Sequence, residues 1–126
     1  MTKPQKPGRI NPKSKVWLEL NGSLIFGGGR ATLFEAIDET GSIRQAANKL
    51  GMSYRAAWGK IKTTEERIGF QLLEKHAGGH QSGAKLTPYA KKLLECYKGF
   101  EEEANLTLKK LFKHYFHELF SEQIKI

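Results

Sequence analysis

The sequence predicts a mainly α domain with a small β component, and three observations predict it. Residues 42–69, SIRQAANKLGMSYRAAWGKIKTTEERIG, read as two helices broken by a tight turn. Residues 16–26, VWLELNGSLIF, read as a β-hairpin ahead of them. From Thr87 onward the chain reads as one long helix. Helix, short glycine-containing turn and second helix make a helix-turn-helix.

The first 15 residues carry Lys3, Lys6, Arg9, Lys13 and Lys15 and no acid. Pro4, Pro7 and Pro12 discourage regular structure there. A disordered basic arm is expected. Contact with DNA backbone or minor groove is one role for it; a solubilising tail is preferred, because like-charge tails are usually just solvated. Val16, Trp17, Leu18 and Leu20 then precede Asn21-Gly22, a strong short hairpin signal, and Leu24, Ile25 and Phe26 follow. Gly27-Gly28-Gly29 lacks the Lys-Ser/Thr of a P-loop and the spacing of a dinucleotide fingerprint, so it reads as a flexible turn. Residues 30–40, RATLFEAIDET, predict a helix with Leu33, Phe34 and Ile37 inward, ended by Gly41.

In the helix-turn-helix, Ser42 is a good N-cap, and Gln45 three residues later completes a capping-box pattern. Ala46, Ala47 and Leu50 share one face, and the two alanines are small where the helices would cross. Gly51 is suited to leaving the helix with positive φ. Ser53 caps the second helix, whose inward stripe is Ala57, Ile61, Thr64 and Ile68, with Gly69 at its end. Its outward face presents Ser53, Tyr54, Arg55, Lys60, Lys62 and Thr63, types that read base edges and phosphates. Ser42, Arg44 and Gln45 at the start of the first helix are further candidate contacts. A plain αα-hairpin with a solvated basic face remains the alternative for this stretch.

QLLEKH at 71–76 and AKLT at 84–87 flank a Gly-rich polar loop and predict a second β-hairpin. A helix-turn-helix followed by such a hairpin is a winged helix, with residues 77–83 as the wing. His76, Gly79, His80, Gln81 and Lys85 are its candidate DNA contacts. From Ser53 to Lys85 six Arg or Lys stand against three Glu, so positive charge overlaps the proposed reading surface. Thr87-Pro88 is an N-cap followed by Pro at the first helical position. Leu93, Tyr97, Phe100, Ala104, Leu108, Leu111 and Tyr115 then recur at spacings of three and four, close to a heptad seam. Leu94, Phe112, Phe116, Leu119 and Phe120 widen the stripe. A small winged domain cannot bury that much apolar surface alone, so a homodimer through this helix is expected. The expected layout is an arm at 1–15, a domain at 16–120 with its helix at about 88–120, and a tail at 121–126.

The chain has 126 residues, enough for one domain with one modest core, and a formal net charge of +8. That charge suits a polyanionic partner and says nothing of fold. One cysteine, Cys96, excludes an intrachain disulfide and a Cys-rich metal site. Residues 1–10 lack an apolar signal segment, and no run approaches the roughly 18 apolar residues of a membrane span. The expectation is a cytoplasmic protein without cofactor, metal or membrane partner. His114 and His117 are three apart on a helix, but no Cys or carboxylate completes a metal site at convincing spacing. No nucleophile has a plausible base, so no enzyme activity is expected. RNA binding lacks the expected aromatic platform.

GSIRQAANKLGMSYRAAW at 41–58 and LLEKHAGGHQSGAKLTPYAKKLL at 72–94 resemble the N-terminal DNA-binding domain of ModE-type, molybdate-responsive transcriptional regulators, relatives of the LysR-type winged helix. The Ser-Tyr-Arg-Ala-Ala-Trp run, Gly-rich wing and Leu-Thr-Pro-Tyr-Ala are the more specific part, and the resemblance covers roughly residues 16–112. It implies that Ser53, Tyr54 and Arg55 open the recognition helix, that Trp58 packs against the domain, and that the long helix pairs two subunits on a palindromic duplex. The family continues into a molybdate-binding region with no counterpart before Ile126, so molybdate sensing is not expected. A separate effector-sensing protein, or a role as a winged-helix protein-interaction module, stands as the alternative to a self-sufficient DNA-binding regulator.

Overall fold

A computed structural model of the chain describes residues 8–74 and 83–124. The chain divides into two units: residues 16–99 form one, and the residues before and after them form the other. The first holds β1 (Leu18–Leu20), β2 (Ser23–Phe26), α1 (Gly28–Thr40), α2 (Ile43–Lys49) and α3 (Tyr54–Ile68). α4 (Pro88–Phe116) begins in the first unit and ends in the second.

β1 and β2 pair antiparallel through the expected turn, where Asn21 and Gly22 take φ of 51° and 83°. Positive φ at both central residues matches the twist of the strands, and Asn-Gly adopts it cheaply. α1 starts earlier than the sequence suggests. Gly28 and Gly29 are helical, and only Gly27 is extended, as N-cap. A Cβ on Gly27 would lie 3.0 Å from Trp17 Cβ, so the bare backbone lets hairpin and helix start approach closely.

The core of this unit gathers the predicted inward residues. Leu33, Phe34 and Ile37 of α1, Ala46 and Ala47 of α2, and Ala57, Ile61 and Thr64 of α3 are buried. Phe26 stacks on Phe34 at 5.8 Å and meets Tyr97 edge-on at 5.3 Å between ring centroids. The Tyr97 hydroxyl donates to the Val16 carbonyl at 2.7 Å, so a buried polar group on α4 is satisfied by the hairpin's lead-in.

Both helix-turn-helix caps form. The Ser42 hydroxyl accepts from the Gln45 amide at 3.1 Å, and the Ser53 hydroxyl accepts from the Ala56 amide at 3.0 Å. The capping box is only half made, because the Ser42 amide donates to Thr40 Oγ1 instead of the Gln45 side chain. Gly41, Gly51 and Gly69 take the left-handed conformation that lets the chain leave each helix.

The second hairpin is a correction. Its described part is one antiparallel bridge, Leu73 to Leu86, not two strands. Neighbouring amides are bonded outside the two segments. Leu72 and Leu73 amides donate to Glu65 Oε2 at 2.8 and 3.3 Å, and the Ala84 amide donates to the Gly41 carbonyl at 2.7 Å. Glu74 N–H to Lys85 O and Thr87 N–H to Leu72 O complete the wing root.

α4 opens on the predicted cap, with the Thr87 hydroxyl accepting from the Ala90 amide at 3.1 Å, and runs unbroken through Gly99. It ends at Phe116, short of Phe120, and turns follow to Gln123. Bonds of the α-helical i→i−4 type persist beyond it, His117 N–H to Lys113 O and Phe120 N–H to Phe116 O, so the chain keeps coiling past the helix end. In the second unit Phe112, Phe116 and Phe120 form a ring cluster, and the Ile10 amide donates to the Gln123 carbonyl at 3.0 Å. No helix among the described residues is long and apolar enough to cross a membrane.

Leu33 is fully buried in the core cluster. Leu33→Ala is expected to cost about 2–5 kcal/mol in urea unfolding. A loss below about 1 kcal/mol would mean that this site collapses freely and does not anchor α1.

Candidate nucleic-acid interface

α3 is cut lengthwise into two faces by its own sequence. Ala57, Ile61 and Thr64 recur at helical spacing and are buried. The other side leaves Tyr54, Arg55 and Trp58 exposed, Tyr54 and Trp58 each at 41%. Lys60, Lys62 and Thr63 are half-buried, and Arg44, Gln45 and Lys85 are exposed.

Two cations on this face are held by aromatic rings. The Arg44 guanidinium lies over the Tyr54 ring, 4.7 Å from its centroid, and the Lys62 ammonium lies over Trp58 at 4.5 Å. Each contact restrains a long side chain without neutralising it. Lys62 also pairs with Glu65 at 3.2 Å. Tyr54, Trp58, Lys62 and Glu65 follow one another at spacings of four, four and three, which places them along one flank of α3. Glu65 closes the row by receiving the wing-root amides of Leu72 and Leu73, so α3 and the wing root share one carboxylate.

Several sequence expectations change here. Trp58 does not pack into the domain; it stands exposed as a platform for Lys62. Ser42 is buried at 7% with its hydroxyl in a cap, so it is not presented to a ligand. The Ser53 hydroxyl is likewise engaged in capping, although the residue is exposed. Tyr97 does not belong to an intersubunit seam, because it is 3% exposed in its own core with its hydroxyl on Val16. Leu93 is partly buried against that core. His76, Gly79, His80 and Gln81 lie outside the described residues. Glu65 was missed: a Glu three residues after a Lys on a helix reads as a surface pair, and nothing local marks it as the acceptor for residues 72 and 73.

A helix-turn-helix with a short wing root and an aromatic, cationic outer face defines a winged helix-turn-helix domain. Residues 30–91 match the model for the bacterial regulatory helix-turn-helix protein, lysR family. That match takes in just under half of the chain, and the chain is also similar to ModE proteins.

The chain is 37% identical over 83 residues to the molybdenum transport protein ModE of Azotobacter vinelandii, covering 65% of this chain and 31% of the relative. It is 30% identical over 117 residues to the transcriptional regulator ModE of Haemophilus influenzae, covering 92% of this chain and 43% of the relative. The chain thus spans less than half the length of the curated relatives it matches. Among solved structures, the CbnR_DBD-DNA complex matches at TM-score 0.52 and 25% identity, covering 63% of this chain and 86% of that one. The BenM_DBD/benA site 1 DNA complex matches at TM-score 0.52 and 22% identity, covering 69% and 93%, and supports the fold alone.

If the Tyr54 ring serves Arg44 as a platform, Tyr54→Phe should keep duplex affinity within about twofold, whereas Tyr54→Leu should lose the roughly 0.5–1 kcal/mol of an exposed cation–π contact. Equal losses in a binding titration would instead assign the role to the hydroxyl.

Proposed function

We propose that the protein is a sequence-specific double-stranded DNA-binding transcriptional regulator acting as a homodimer. The observation that carries this is the exposed α3 face, with Arg55 exposed and Arg44 and Lys62 held on Tyr54 and Trp58. α3 enters the major groove, where side chains distinguish all four base pairs, and the wing lies on the flanking backbone. Arg55 is the guanine reader, through bidentate donation to O6 and N7. Gln45 and Thr63 are further polar contacts. Lys60 and Lys85 meet phosphates, and the wing residues His76, Gly79, His80 and Gln81 extend that contact. The names of the matched proteins, a transcriptional regulator and a DNA complex, support the same reading. The activity is binding, not catalysis, and the compartment is the cytoplasm, where the DNA is.

The dimer rests on α4. Phe100, Leu111 and Tyr115 are exposed at 52%, 50% and 73%, and Ala104 and Leu108 between them are half-buried. This spacing of three and four presents a coiled-coil seam beginning at Phe100. Two subunits paired there would place their recognition helices about 34 Å apart, one DNA turn, on a palindromic site.

Selection from a random duplex library, with single strands as competitor at two salt concentrations, tests the whole reading. Enrichment of a palindrome with steep salt dependence is the expected result. Absence of enrichment would turn the reading to a protein partner. Arg55→Ala should lose about 1–3 kcal/mol and relax preference at one base position. Lys85→Ala should weaken all duplexes alike and lower the salt slope by about one unit; an unchanged slope removes Lys85 from the phosphate set. Leu108→Glu should shift sedimentation from dimer to monomer, and a profile identical to the parent would refute this seam.

A further inference from the structure

Beside α3, on the flank away from Trp58, the domain has a cavity of about 520 Å³. Trp17, Leu24 and Met52 give it apolar walls, and Arg30 and Lys60 are the charged groups that line it. None of its lining residues is acidic. The Arg30 Nε donates to Thr64 Oγ1 at 2.8 Å, and Thr64 is fully buried and donates in turn to the Lys60 carbonyl at 2.8 Å. That relay fixes the guanidinium by one edge and leaves its other nitrogens without a protein acceptor among the described contacts. Arg67, close enough to Arg30 to repel it, donates from Nη1 to the Leu24 carbonyl. Among the described residues no carboxylate pairs with Arg30, Lys60 or Arg67.

Like charges gathered without a counterion are unfavourable unless something anionic arrives. Partial burial, then repulsion from Arg67, holds the Arg30 pKa below its ordinary value, so the cation is the less comfortable for being there. A planar guanidinium anchored by Nε presents its remaining donors as a fork, the arrangement that grips a phosphate by two oxygens. Lys60, the other cation lining the cavity, adds a point charge. Gly28 and Gly29 also line the cavity; a Cβ on the first would meet only the Tyr97 hydroxyl, at 3.9 Å, and one on the second nothing within 4 Å.

We propose that this cavity is a phosphate seat, in which Arg30 binds two oxygens, Lys60 binds a third, and Trp17 forms the wall. On a duplex its occupant is a backbone phosphate on the side of α3 opposite the wing. The same chemistry admits a free phosphate-type anion. The duplex form rests on the DNA-binding reading above; the free-anion form does not.

Two arms test it. In the first, Arg30→Gln and Lys60→Gln are titrated with duplex across a salt series. Each should weaken binding about tenfold and reduce the salt slope by about one unit. Lys60→Gln guards against a folding artefact, because the Lys60 side chain makes no described contact that holds the domain together. In the second, Trp58→Phe leaves Trp17 as the only tryptophan of the two, and inorganic phosphate is titrated against its fluorescence. A saturable change that disappears when Arg30→Gln is added supports the seat. Unchanged duplex slopes with that saturable change would assign the seat to a free anion. If the parent bound no duplex, the DNA reading would fall and the second arm alone would decide. Parent-like slopes together with unmoved Trp17 fluorescence would overturn the proposal.

Discussion

The domain depends on methyl-sized side chains in the core shared by α2 and α3. Ala46, Ala47 and Ala57 are buried in one cluster with Ile61 and Leu33. Larger residues at those places would drive the helices apart or force strained rotamers, at about 1–3 kcal/mol each. Close approach has a second effect. With the short turn through Gly51, it brings Arg44 of α2 over Tyr54 of α3. The packing of the inner face therefore sets the charge arrangement of the outer one, and an overpacked alanine would disturb binding without touching DNA.

The outer face manages its charge by restraint more than by neutralisation. Arg44 and Lys62 are stacked on rings, while Arg30 is tethered to a buried hydroxyl. Restraint lowers the side-chain entropy that a cation loses when it meets a phosphate. Glu65 is the exception, and its two oxygens divide the work. One pairs with Lys62 and the other receives the Leu72 and Leu73 amides. A carboxylate on a DNA-facing helix would oppose binding by charge; here its Oε2 fastens the wing root to α3.

Local signals in the sequence carried the elements well. Ser42, Ser53 and Thr87 cap where their chemistry suggests, and Asn21-Gly22 turns as expected, because each decision is made within four residues. What was not legible involves partners distant in sequence. Arg30 finds Thr64 from 34 residues away, and Glu65 takes amides seven and eight residues on. Trp58 misled for another reason: its packing was implied by the family resemblance, whereas the stripe of Ala57, Ile61 and Thr64 turns it outward. The triple glycine read as a simple turn because no local motif reports that Lys60 and Arg30 line the same cavity as it does.

The apolar stripe of α4 shows the same limit in one element. From Leu93 to Tyr115 it looks continuous, with one spacing throughout. Burial divides it. Ala90, Leu94 and Tyr97 are consumed by the core of the first unit, whereas Phe100, Leu111 and Tyr115 remain exposed. Periodicity reports that a face is apolar and is silent about what covers it. The boundary falls at Gly99, where the first unit ends, and beyond it Phe100, Leu111 and Tyr115 stay exposed while Ala104 and Leu108 are half-buried. An exposed row of this length and spacing is what a second copy of the helix would cover, so the place where self-burial stops is also where the case for a dimer begins.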